Sequence, residues 1–297
     1  MQLLSEHLAS SSVLAAVFVL PLGTLPALGA DRDDKRDKSG FNLFNPTPQE
    51  CLREMSADRP DRTDSAFTVD AGHFQAEMDF ANFTYDRPHV ADSNLKIYSV
   101  EAAPMNLKVG LWNNVDAQLV LSPYRWLRIE DRKGGTVQRK SGFGDVTPRL
   151  KLNLVGNDGG PVAMALMPFV KLPTNQDHMA NDWVEGGLKA PYSFEIPVWD
   201  VSAQTEIDFI HDLVGSGYHP EFINSISVGR PILGKLSCYV EFFSNVSSEA
   251  ASDWVGTFDT WLTYQVTEDL RLDAGVYIGV TRAADDWHPF AGMTMRF

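Results

Sequence analysis

The sequence predicts an all-β protein: a transmembrane, antiparallel, up-and-down β-barrel of about 12 strands, preceded by a short, mostly disordered N-terminal leader. Three observations carry this expectation. Apolar and polar residues alternate with a period of two along many segments, as a wall with lipid on one face and a polar interior on the other requires. Connections between those segments alternate between short and long, the pattern of periplasmic turns and extracellular loops. The last segment, 289–297, sets Pro289, Ala291, Met293, Met295 and Phe297 against Phe290, Gly292, Thr294 and Arg296, and it ends on an aromatic residue.

Composition agrees with a barrel and narrows the alternatives. The 297 residues are 44% hydrophobic, with a mean hydropathy of -0.18. A bundle of membrane helices would need several apolar runs of about 20 residues. A formal net charge of -14 argues against a nucleic-acid partner, which would select basic patches. The cluster Arg128, Arg132, Lys133, Arg139 and Lys140 is interrupted by Glu130, Asp131 and a Gly-Gly pair, and it reads as a solvated loop. Cys51 and Cys238 are the only cysteines and do not make a disulfide framework.

In chain order, residues 1–30 read as a secretory signal. The apolar run 12–30 is interrupted by Pro21 and Pro26 and closes on Ala27-Leu28-Gly29-Ala30, a small-residue cleavage pattern, although no Lys or Arg precedes it. Residues 31–65 form a charged periplasmic leader. The stretch 31–40 lacks the apolar residues that would order it. Thr47, Pro48 and Glu50 then predict a short helix over 48–55. Asp58-Arg-Pro-Asp-Arg-Thr-Asp64 follows, too charged for a lipid-facing strand, and tucks into the periplasmic mouth as a partial plug.

The barrel occupies 66–297, with strands expected at 72–82, 97–109, 115–121, 144–155, 162–172, 185–194, 199–211, 221–230, 235–244, 254–266, 270–280 and 289–297. The first sets Phe74, Ala76, Met78 and Phe80 against Gln75, Glu77 and Asp79; the seventh sets Val201, Ala203, Ile207 and Phe209 against Ser202, Gln204, Glu206 and Asp208. The intervals 83–94, 122–141, 173–184, 212–220, 245–252 and 282–288 are the long loops. Trp112, Tyr124, Trp126, Trp183, Tyr192, Trp199, Trp254 and Trp287 fall near strand ends, where interface girdles belong. The expected location is the bacterial outer membrane, with its lipids and the barrel assembly machinery as partners; outer-membrane barrels commonly end on an aromatic such as Phe297.

Three stretches carry a family resemblance. Asp58-Arg-Pro-Asp-Arg-Thr-Asp-Ser-Ala-Phe-Thr-Val-Asp-Ala-Gly-His-Phe-Gln75, Ser141-Gly-Phe-Gly-Asp-Val-Thr-Pro-Arg-Leu-Lys151 and the hairpin from Leu272 to Phe290 resemble the outer-membrane transporter family named for the MetA pathway of phenol degradation. The resemblance implies an outer-membrane barrel with a role in passage of phenolic or other hydrophobic compounds, and it supplies no catalytic residues.

Polar-face side chains should line the lumen: Glu77, Asp79, Asp145, Arg149, Lys151, Glu206, Asp208, Glu241, Asp259, Arg271, Asp273 and Arg296. Both signs are present, so acids and bases can bridge a narrow bore or flank a polar path through it. The leading function is a passive channel for small solutes, aromatic or hydrophobic ones included. The alternatives are a structural or adhesion barrel with a sealed lumen and, less favoured, a lipid-acting enzyme drawing on Ser202, Ser225, Ser237 and His211. No cofactor, catalytic residue or metal is expected. The acidic loop Asp285-Asp286-Trp287-His288, with Asp177, His178 and Asp182, offers oxygen and nitrogen ligands, but solvated acidic loops are the commoner case.

Overall fold

A computed structural model describes residues 37–88, 94–180, 182–212, 215–250 and 252–297. The signal segment and most of the charged stretch 31–40 lie outside the described residues. Fifteen strands form one antiparallel sheet: β1 (Phe74–Asp86), β2 (Leu95–Ala102), β3 (Met105–Trp112), β4 (Val115–Leu121), β5 (Tyr124–Asp131), β6 (Thr136–Gly142), β7 (Thr147–Val155), β8 (Val162–Lys171), β9 (Glu185–Ile196), β10 (Trp199–His211), β11 (Tyr218–Leu233), β12 (Leu236–Ser247), β13 (Val255–Thr267), β14 (Leu270–Gly279) and β15 (Trp287–Arg296).

Twelve of them close a ring. From β7 to β15 each strand pairs with the next, β15 pairs with β1, and β1, β3, β4 and β7 complete the circuit. The seam sets Gln75 opposite Arg296 and Glu77 opposite Thr294, and the Phe297 amide donates to the Phe74 carbonyl at 2.8 Å. Closure removes every free edge from the membrane zone, as backbone groups in hydrocarbon require.

Three wall strands are broken at one level. β3 runs on into β2 across Ala103-Pro104, β4 into β5 across Ser122-Pro123, and β6 into β7 across residues 143–146. Two of the breaks carry a proline, which cannot donate to a ladder, and Ala103 sits at φ 53. Each break shifts the alternation by one residue. Asn106 and Lys108 face inward on β3, but Ser99 is the buried position on β2. Above the breaks β1, β2, β5 and β6 form a flap whose last strand pairs only with β5. The expectation that 122–141 is a loop is therefore corrected: its charges sit on a hairpin, and Trp126, Leu127 and Ile129 supply the β-forming residues that pair it to β2.

The helix expected over 48–55 is also corrected, to a single 3₁₀ turn at Gln49–Cys51. Pro48 and Leu52 are both extended, Pro48 gives no side-chain cap, and the Arg53 amide donates to Asp70 instead of continuing a helix.

The outward face is apolar. Leu150, Leu152, Leu154, Leu188, Ile226, Val240, Phe242, Phe258 and Leu262 are exposed large hydrophobics from five wall strands between β7 and β13. Trp112, Trp199 and Tyr264 lie toward the short turns and Trp183, Tyr218, Trp254 and Trp287 toward the long loops, all exposed. An apolar band between two aromatic belts is the lipid-facing surface of an outer-membrane barrel.

Candidate functional site

The interior is filled by the leader. From residue 37 to 73 the chain has little regular structure, yet it is held by the wall around it. Ala71 forms a parallel bridge to Gly110 of β3 and Asn42 an antiparallel one to Trp112. Gly110 is required there, because a Cβ would lie 2.1 Å from the Asp70 carbonyl oxygen.

Asp58-Arg-Pro-Asp-Arg-Thr-Asp64 crosses the bore, and five of its side chains find complementary wall groups. Asp58 lies 2.6 Å from Lys108 of β3 and also pairs with Lys151 of β7. Burial alone would raise the Asp58 carboxyl; the two ammonium groups outweigh it and hold the group far below the usual carboxylate range. Arg59 bridges Asp79 of β1 at 2.6 Å and Asp273 of β14 at 2.7 Å. Gly292 of β15 makes room for it, since a Cβ would come within 2.2 Å of the guanidinium. Arg62 lies 3.8 Å from Asp259 of β13 and over the rings of Phe243 and Tyr277, while its amide donates to Glu241. The Thr63 hydroxyl reaches Ser225 at 2.7 Å and Glu241 at 2.9 Å. Asp64 takes Lys189 of β9 at 2.8 Å and Arg149 of β7 at 3.4 Å.

Asp61 is the exception. Burial first, and then the negative charge of Glu241, push its carboxyl well above the usual range. Closer to the short turns, Asp70 and Asp158 receive Lys38 and Arg53 at 2.9–3.4 Å. Burial would raise Asp158, but the Asn113 hydrogen bond and the Arg53 and Lys38 charges bring it below its ordinary value.

The twelve side chains expected in the lumen divide by what they touch. Glu77, Asp79, Arg149, Lys151, Glu241, Asp259 and Asp273 contact the 58–64 segment directly. Arg271 also touches that segment, donating to the Arg59 carbonyl, whereas Arg296 donates to the Arg53 carbonyl and to Asp269. Glu206 is 3.5 Å from Lys189, and Asp208 is half-buried one step further toward the loops. Asp145 stands at the β6–β7 break, bonded to Asn175. Lys108, Asp116, Lys189 and Gln204 belong to the same network; Asp116 receives the Val69 amide at 3.0 Å and Gln204 the Asp64 amide at 2.8 Å. Gln204 lies on the polar face expected for the seventh strand; Lys108 and Asp116 each stand two residues from another interior polar side chain, Asn106 and Gln118, whereas Lys189 lies between Gly187 and Pro191 and has no such neighbour in sequence.

Cavities of about 870 and 340 Å³ lie against this segment among the described residues. The larger opens among the short turns, beside Asn157, Glu195 and Asp200. The smaller lies toward the loops, beside Asp79, Asn106 and Lys189. Arg59, Pro60 and Asp61 line both, so the crossing segment is the partition between them.

The serines and histidine considered for lipid chemistry do not converge. His211 stacks on Trp183 at 4.1 Å and bonds the Asp212 carbonyl, whereas Ser225 serves Thr63 and Ser202 faces Ser193. His178 pairs with Asp182 at 2.8 Å and Asp286 with Arg87 at 3.0 Å, so the acidic loops form no common ligand set among the described residues. Cys51 and Cys238 are free thiols.

A family model described as "Putative MetA-pathway of phenol degradation" matches residues 57–297, from the crossing segment to the final strand. The chain belongs to this family. Among solved structures, an outer membrane channel from Pseudomonas putida F1 superposes with a TM-score of 0.52 at 13% identity, covering 76% of this chain and 93% of the channel. The NanC porin (TM-score 0.49, 9% identity, 73% and 98% covered) and the translocator domain of the autotransporter NalP from Neisseria meningitidis (0.48, 8%, 76% and 88%) are also similar. At these identities the likeness is one of fold. No curated protein matched the sequence closely enough to count as a relative.

Proposed function

We propose that this family member is a passive outer-membrane channel for small solutes, aromatic ones included, whose bore is set by its own leader. The observation that carries the reading is the partition: two cavities meet at Arg59-Pro60-Asp61, and that segment is fixed by ion pairs and hydrogen bonds to the side chains around it. A barrel of purely structural purpose would be served as well by wall-to-wall bridges. Here the opposing wall charges are instead brought together through one removable strip of chain.

The aromatic solute is what the family description supports. The test compares full-length protein with a variant lacking the residues before Ser65, both in planar bilayers and in liposomes loaded to report phenol entry. A channel predicts higher conductance and faster phenol flux for the shortened chain. Equal, negligible conductance in both would instead support the sealed-lumen reading.

A further inference from the structure

The flap carries a second feature, on its outer face. Its strand register sorts the residues unambiguously. Phe83, Val100, Trp126 and Ser141 lie side by side in one row; Tyr85, Tyr98, Arg128 and Arg139 form the next row toward the loops; Lys96, Glu130 and Val137 form the third. Rows are about 7 Å apart. The opposite face holds Asn82, Ser99 and Glu101, and both Asn82 and Ser99 are buried, so the three rows point out of the barrel.

This outer surface changes from aromatic to basic within two rows. Residues 125–140 hold six of the chain's 25 Lys and Arg but only two acids, in a protein of net charge -14. Elsewhere in the described strands, no outward-facing position at the loop end is Lys or Arg. Arg128 and Arg139 stand directly opposite each other in the ladder, an arrangement that destabilises a sheet unless an anion joins it. Glu130 pairs with Arg128. Arg139 is exposed, with no acidic partner among the described residues, on a strand whose far edge is unpaired. The Arg128 Nε is shielded from water and has no acceptor, while its guanidinium lies 5.9 Å from the Tyr98 ring centroid.

We infer that this face is a docking site for the phosphorylated glycolipid of the outer leaflet, lipopolysaccharide, with its lipid A phosphate held between Arg128 and Arg139 and its acyl chains against Trp126, Val100 and Phe83. Charge complementarity selects the ligand: paired guanidinium groups match the geometry of a phosphate monoester, and the aromatic row beneath matches hydrocarbon. The inference rests on the outer-membrane placement and is independent of what passes through the bore.

The test uses the full-length protein in detergent micelles, with bisphosphorylated hexa-acyl lipid A as probe and native mass spectrometry as readout. Arg128→Gln/Arg139→Gln should weaken lipid A binding roughly tenfold or more. Arg132→Gln/Lys133→Gln, which removes the same charge at the hairpin tip, should leave it within about twofold. Arg139→Gln alone, on the exposed edge, should give an intermediate loss; it keeps the test decisive if the double variant loses heat-modifiable migration. Equal loss in the face and tip variants, unchanged binding in Arg139→Gln, or displacement of lipid A by millimolar inorganic phosphate would each overturn the assignment.

Discussion

Asp58 and Lys108 meet 2.6 Å apart inside the barrel, each with a nearly sealed side chain, although one belongs to the leader and the other to β3. Lys151 and Glu77 complete a cluster in which every charge faces an opposite one. Removing one member of such a cluster leaves a buried charge without its partner, at a cost of about 3–5 kcal/mol. The leader, unlike the wall, has somewhere to go.

Asp58→Ala is therefore expected to release the crossing segment and leave the barrel closed. Trypsin should cut after Arg62 in the variant but not in the parent, while heat-modifiable migration stays the same. Loss of that migration would show that the leader is part of the folding core.

The latch near the short turns has its own pH limit. Asp158 is held below its ordinary value by Asn113, Arg53 and Lys38 against the opposing effect of burial. A depressed carboxyl contributes stability that is complete above its unfolded pKa of about 3.9 and is lost as pH falls through the lower, folded value. The protection factor of the Arg53 amide in hydrogen exchange should stay constant from neutral pH to about pH 5 and decline below about pH 4. In Asp158→Asn the extra protection should be absent at every pH.

Asp61 has the opposite sign. Its carboxyl is raised by burial and by Glu241, so folding the segment into the lumen takes up a proton between the unfolded and folded values. That contribution weakens as pH rises through this window. Asp61→Asn should make leader binding insensitive to pH there and tighten it at neutral pH, read as slower amide exchange over residues 58–64. Faster exchange in the variant would mean that the carboxylate, and not its proton, holds the segment.

The wall was legible in the sequence and the contents of the bore only partly. Alternation places Glu77, Lys151 and Glu241 on one face because period two is a property of each strand alone. Lys189 sits in a strand with two glycines and a proline, and Lys108 lies just beyond Pro104 within a longer expected strand, so the signal is weak at both. The breaks at Pro104 and Pro123 invert the faces, and a parity rule cannot see them without knowing the partners. For the same reason Arg128 and Arg139 read as a loop, since only pairing reveals that they share a row. The 58–64 segment was legible as a plug from its charge, whereas the match of Asp58, Arg59 and Asp64 to particular strands needed three dimensions.

Turn chemistry offers a local test. Pro197 and Val198 make the two-residue connection between β9 and β10, and Val198 sits at φ 65, fully out in solvent at 73% exposure. A β-branched residue is strained in the left-handed region, which glycine enters freely. Val198→Gly should raise the barrel's stability toward urea by about 1 kcal/mol, the left-handed cost of about 1–2 kcal/mol less the entropy glycine adds to the unfolded chain. A drop in stability would mean that the side chain makes interfacial contacts worth more than the strain.

Leu262 tests the orientation of the wall against its depth in the membrane. It lies midway along β13, outward-facing and exposed, between Cys238 of β12 and Ala274 of β14, whereas its neighbour Trp261 is buried inside. An outward arginine at mid-depth costs about 2–4 kcal/mol and one near the interface about 0–1 kcal/mol, because only the latter reaches water. Leu262→Arg should therefore lower folding stability in lipid vesicles by several times as much as Thr267→Arg, at the turn end of the same strand and face-exposed. Guanidinium titrations of refolding into vesicles separate the two. Equal losses would mean that Leu262 faces other protein instead of lipid, and with it the apolar band of which it is the centre.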